Sequence, residues 1–170
     1  RSRRAGGGGR GRSVAGGALH AVTEALTATR MDCTGPRSWT PKGAVMCVAT
    51  GAQTSPRLVR DAQGGVIGVW QDARSGSYDI YAQRINAAGT TLWSANGDSV
   101  CGAVHDQQYP ALVGDGAGCA FVAWEDSRDV VEDIYAQRMD CTGHRPWTTH
   151  GAVMSVATAA QTCPVCVSDA

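Results

Sequence analysis

Asp79-Ile80-Tyr81-Ala82-Gln83-Arg84 returns unchanged as Asp133-Ile134-Tyr135-Ala136-Gln137-Arg138, 54 residues later. Outward from this hexapeptide the same step holds without a gap. It joins Trp70 to Trp124, Asp72 to Asp126 and Arg74 to Arg128. It also joins Trp39, Trp93 and Trp147; Gly43, Gly97 and Gly151; Gln53, Gln107 and Gln161; and Pro56, Pro110 and Pro164. Chance does not hold so many large or special residues in one register, so the chain is built from a repeated unit. A second layer is visible, since residues 30–54 resemble residues 138–162 more closely than either resembles the copy between them.

The unit reads as strands and turns. Pro110 precedes the apolar run Ala111-Leu112-Val113-Gly114, and Asp115-Gly116-Ala117-Gly118 is a turn signal because Asp and Gly tolerate positive φ. The strand-favouring run 119–125, a loop over 127–132 and the strand 133–139 follow. A second turn at 140–143 leads through Trp147 to a fourth strand over 151–157. Each run has the length of a strand, and none has the length or period of a helix. Four short antiparallel strands per repeat, with a Gly and Trp rhythm, predict an all-β fold: a partial β-propeller of 54-residue, four-stranded blades. Trp70, Trp124, Tyr81, Tyr135, Ile80 and Ile134 are expected to fill the space between blades. Only about two to three blades fit, so the chain reads as part of a larger ring.

Residues 64–93, with Trp-x-Asp-x-Arg followed by Asp-Ile-Tyr-Ala-Gln-Arg, resemble the tandem repeats of large secreted bacterial proteins. More distantly, the Asp-Gly turn, the Asp-x-Arg and the Asp-Ile-Tyr strand are similar to the propeller repeats of the periplasmic TolB type. The resemblance covers about residues 30–170. It implies a β-propeller, an extracellular or periplasmic bacterial setting, and binding in place of catalysis.

Residues 30–170 divide by the repeat into 30–83, 84–137 and a partial 138–170. Residues 1–29 differ in kind. They carry five Arg and one Glu (5 − 1 = +4), whereas the remainder has 10 basic and 14 acidic residues (−4). Their opening Arg/Gly run cannot bury apolar surface, and the Trp-x-Asp-x-Arg and Asp-Ile-Tyr-Ala-Gln stretches are missing. They read as a mobile or degenerate head. The net charge of zero argues against nucleic acid as a partner, and no run of eighteen apolar residues offers a membrane span.

The recurring polar sets Asp72/Arg74/Asp79 and Asp126/Arg128/Asp133 are the candidate binding residues. The bland reading is that Arg74 pairs with Asp79 across the loop while Asp72 accepts turn N–H groups. An Arg between two carboxylates disfavours a cation site, so no metal is expected. A glycosidase needs two carboxylates facing each other across a sugar. Glu125, Asp126 and Asp133 are candidates, but two of them repeat, whereas a catalytic pair is normally unique. Cys163-Pro164-Val165-Cys166 has the spacing of a redox or metal motif. In the repeat register, however, Cys166 falls where Leu58 and Leu112 fall, at an ordinary strand position. There is no phosphate loop, dinucleotide fingerprint or Gly-x-Ser-x-Gly elbow, so no catalytic residue and no cofactor is assigned. The expectation is a non-enzymatic binding or scaffold module for a protein or carbohydrate ligand. The remaining blades of a larger chain, or self-association through exposed edges, are expected as further partners. The alternative is a fragment of a propeller-containing glycoside hydrolase or sialidase-like enzyme. The ligand surface is expected on loops 72–78, 90–96, 126–132 and 144–150.

Overall fold

A computed structural model describes residues 16–22, 25–32, 35–36, 39–40, 42–129, 131–155 and 157–168. The Arg/Gly run at 1–12 lies outside them, as does Cys33. The described residues contain no helix, and their strands form three four-stranded antiparallel sheets. The first holds β1 (Gly16–Val22), β2 (Ala25–Asp32), β3 (Gly35–Pro36) and β4 (Ala44–Cys47), with β1, β3 and β4 all paired to β2. The second is the meander β5 (Gln53–Arg60), β6 (Val66–Asp72), β7 (Asp79–Ile85) and β8 (Asp98–Cys101). The third repeats it as β9 (Gln107–Gly114), β10 (Ala120–Asp126), β11 (Asp133–Met139) and β12 (Ala152–Ser155).

The sheets stack in chain order because the second carries an apolar face on each side. Successive strand residues point to opposite faces. Trp70 and Ile85 of the second sheet therefore pack with Leu26, Ala28, Ala44, Met46 and Cys47 of the first. From its opposite face, Ile67, Val69, Ile80, Ala82, Val100 and Cys101 pack with Ala120, Val122, Trp124 and Met139 of the third. Trp70 and Trp124 are fully buried. Truncating either to Ala removes about 3–5 kcal/mol of packing. The six side chains expected between sheets divide by register. Trp70 and Tyr81 turn toward the first sheet and Ile80 toward the third, while Trp124 and Tyr135 pack against the second-to-third core. Ile134 remains half-buried.

Three features differ from the sequence reading. The structural units run over 53–101 and 107–155, so the 54-residue period holds but its phase is shifted from boundaries at 30, 84 and 138. The first sheet begins within residues 1–29, because β1 and β2 pair from Gly16↔Met31 to Val22↔Ala25. Finally, β5 and β9 start before their prolines. The ladder carries an irregularity between Thr54 and Arg57, and another opposite β9 between Ala123 and Glu125. Ser55 and Tyr109 sit there at φ 49° and 51°. A bulge is where a strand tolerates proline, since no ladder N–H is needed from it.

Candidate functional site

The two recurring polar sets are built alike, at the end of β6 and of β10. Trp70, Asp72 and Arg74 are two residues apart, so the extended chain puts them on one side. Asp72 is fully buried. Its Oδ2 accepts the indole N–H of Trp70 at 2.8 Å and Nη2 of Arg74 at 2.6 Å. Its Oδ1 accepts the backbone N–H and Nε of Arg74 at 3.0 and 2.9 Å. The guanidinium lies 3.8 Å over the Tyr81 ring and donates to the Asn96 carbonyl at 2.9 Å. Asp126, Arg128, Trp124, Tyr135 and the His150 carbonyl reproduce the set. Asp72 accepts the turn N–H as expected, but Arg74 pairs with Asp72, not with Asp79. Asp79 lies across the hairpin and accepts the Ser75 hydroxyl at 2.6 Å.

Burial alone would raise the Asp72 carboxyl. The hydrogen bonds from Arg74 and Trp70 outweigh it and hold the group below its ordinary value. Asp79 has no such donor pair, and burial pushes it upward. Each set also meets a thiol of the preceding sheet. Cys47 Sγ lies 3.2 Å from Arg74 Nη2, and Cys101 Sγ lies 3.4 Å from Arg128 Nη2. Burial dominates there, and the Cys101 thiol is pushed up to about 12. These sets clamp the loop after β6 and β10 and join neighbouring sheets. Asp72 and Asp126 have both oxygens engaged inside the protein, whereas buried Asp133, the counterpart of Asp79, has Asp129 where Ser75 stands and an Oδ1 with no hydrogen-bond partner among the described residues.

The other candidates separate. Glu125 accepts the Cys163 backbone N–H at 2.6 Å, whereas Asp126 turns to the opposite side of the strand to meet Arg128 and Trp124. Adjacent residues of one strand do not face each other across a substrate. Cys163 and Cys166 are free thiols, and Cys166 is half-buried with its pKa raised by burial.

Loops 73–78 and 127–129 come together around the β8–β9 connection. Tyr78 N donates to Asp106 Oδ1 at 2.9 Å, and Ser127 N donates to the Asp106 carbonyl at 2.9 Å. A shallow cleft of about 490 Å3 opens there, lined by Gly76, Ser77, His105, Asp106, Ser127 and Asp129. Sequence reasoning missed His105 and Asp106. The repeat places Gly51-Ala52 and Ala159-Ala160 at their positions, so the signal was departure from the repeat, not recurrence. Exposed His105 and Asp129 present polar groups to this cleft.

No protein-family model matches the chain, and no curated protein matches it.

Proposed function

We propose that the chain is a non-enzymatic binding or scaffold module of an exported bacterial protein, its stacked sheets being consecutive blades of a β-propeller. The observation that carries this reading is the division of polar groups. The repeating Asp72 and Asp126 are consumed by the arginine and tryptophan of their own units. Those that break the repeat, His105 and Asp106, line the open cleft between the loops of the second and third sheets. A shallow cleft with hydroxyl, imidazole and carboxylate groups suits a hydrogen-bonding ligand such as a glycan or a polar protein loop. The face-to-face packing of meander sheets in chain order is the arrangement that blades require. The bacterial, exported setting rests on the resemblance of residues 64–93 alone.

The test is a screen of the intact chain against a glycan array and a panel of bacterial envelope proteins. The hit should weaken at least tenfold in a His105→Ala/Asp129→Ala variant. A hit indifferent to both substitutions sinks the cleft as the ligand surface.

A further inference from the structure

The segment after β12 repeats the way β9 joins the second sheet. Gln107 N donates to the Tyr78 carbonyl at 2.7 Å, and Tyr109 N donates to Gln71 Oε1 at 3.0 Å. One period later, Gln161 N donates to the Glu132 carbonyl at 2.8 Å, and Cys163 N donates to Glu125 Oε1 at 2.6 Å. Tyr109 and Cys163 share the same left-handed backbone, φ 51° and 58°. Residues 161–168 therefore sit on the third sheet in the register of a first strand. Yet β9 is paired with β10 from Ala111↔Ala123 to Gly114↔Ala120, whereas residues 165–168 belong to no ladder.

The face beneath them is open at the positions that earlier interfaces cover. Met46 and Val100 are 1% and 0% exposed, but Met154 at the same register is 53% exposed. Trp39 donates its indole N–H to the Ala87 carbonyl in the next sheet at 2.9 Å, and Trp93 does so to Cys141 at 3.3 Å. Trp147 instead tilts onto Phe121, with 41% of its surface exposed.

We infer that residues 161–168 and the outer face of the third sheet form a docking site for a β-hairpin of this same repeat, one that carries Trp-x-Asp-x-Arg and Asp-Ile-Tyr-Ala-Gln-Arg. The occupant adds antiparallel strands to the edge at 165–168 and lays its tryptophan over Met154. Its loop arginine comes to Ser155, where Arg74 and Arg128 meet Cys47 and Cys101. The turn after its Asp-Ile-Tyr strand receives the Trp147 indole N–H. Continuity with the two interfaces above fixes this chemistry. A second copy of the chain offers its first sheet, where His20 is paired with Thr27 as Trp70 is with Tyr81, so the tryptophan that fills the space is missing. The inference depends on the stack of sheets, not on the ligand cleft or on closure of a ring.

Two measurements test it. A fluorescein-labelled synthetic hairpin of residues 64–85 is titrated with the intact chain and followed by anisotropy. Saturable one-to-one binding is expected, weakened at least tenfold by Met154→Asp and absent for a scrambled peptide. Because an isolated hairpin can fail to fold, the chain is also extended after Ser168 with a copy of residues 115–155. Peroxide oxidation of Met154, read by mass spectrometry, should slow at least tenfold in the extended chain, while buried Met46 serves as the protected reference. Three results overturn the proposal: equal Met154 oxidation in both chains, peptide binding that Met154→Asp leaves unchanged, or self-association abolished by Met154→Asp with no competition from the peptide. The last would make a second copy the occupant.

Discussion

Arg84 and Asp61 form a buried ion pair between β7 and the β5–β6 turn, with Nη2 3.1 Å from Oδ2 and side-chain exposures of 6% and 0%. Asp61 Oδ1 closes the turn by accepting the Gln63 and Gly65 N–H groups, and Arg84 Nη1 reaches the Cys141 carbonyl of the third sheet at 3.0 Å. The pair thus ties a turn, a strand and the next sheet together. Removing the guanidinium strands a buried carboxylate. Arg84→Ala should cost about 3–5 kcal/mol. Arg138 holds the same register on the third sheet but is only half-buried and reaches Cys119 Sγ at 3.6 Å. Arg138→Ala should cost about 1 kcal/mol or less. Urea unfolding followed by tryptophan fluorescence measures both, and equal losses would refute the role given to the neighbouring sheet.

Asp72 and Asp79 should respond to pH in opposite senses. The Asp72 carboxyl is held below its ordinary value, so its contribution is present above the unfolded-state value of about 3.9 and is lost as pH falls further. Burial raises Asp79, so its charged form works against the fold as pH rises through its folded-state value. Asp79→Asn keeps an acceptor for Ser75 and removes that charge. It should equal or exceed the wild-type stability at pH 7, with the advantage vanishing below about pH 4. Asp72→Asn should lose about 3 kcal/mol at pH 7, with the loss narrowing toward acid. Unfolding free energies across pH 3–8 decide it, and parallel curves for the two variants would count against both assignments.

The strands were legible because Val66–Asp72 and Asp133–Met139 combine β-favouring residues with turn signals on both sides. The first sheet was not, because its Trp-x-Asp-x-Arg stretch is missing. Residues 23–24 join β1 to β2 where 73–78 join β6 to β7. A weaker signal was present, since Leu26 and Ala28 hold the register of Ile80 and Ala82, and all four are buried. The Arg74–Asp72 pairing was also available. Period-two geometry puts residues 72 and 74 on one side, whereas an Asp79 partner lies across the loop. The cleft was hidden for a different reason. A search for recurrence discards His105 and Asp106, the residues that recur nowhere.

Gly97 tests how the sheets close around tryptophan. Its φ of 86° disfavours any Cβ, and a methyl there would come within 2.6 Å of Trp70 Cη2 and 2.7 Å of the Ala82 carbonyl. Gly151 repeats the arrangement over Trp124, at φ 82°. Gly97→Ala should cost about 2–5 kcal/mol, the sum of left-handed strain and overpacking. Gly76, at φ 105° with nothing within 4 Å of its added Cβ, isolates the backbone contribution. Gly76→Ala should lose about 1–2 kcal/mol. Thermal unfolding of the two variants separates the two costs, and a Gly97→Ala melting point matching that of Gly76→Ala would refute the contact with Trp70.

Thiol accessibility gives a last check on the sheet interfaces. Cys47 and Cys101 are fully buried between sheets, and burial pushes the Cys101 thiol up to about 12 despite the guanidinium of Arg128 beside it. A thiol so placed presents neither thiolate nor surface to an alkylating reagent. Cys141 and Cys163 are exposed. Iodoacetamide at pH 8 should therefore modify Cys141 and Cys163 first and leave Cys47 and Cys101 untouched until denaturant is added. Peptide mapping by mass spectrometry follows each site. The physical point is that a nearby arginine does not make a cysteine reactive when the charge is already neutralised by a carboxylate: Arg128 is held by both oxygens of Asp126. Asp126→Asn would release that charge toward Cys101, so this variant should show faster Cys101 labelling than any substitution at the exposed loops. Labelling of Cys101 in the folded wild type at the rate of Cys141 would mean that the second and third sheets separate in solution.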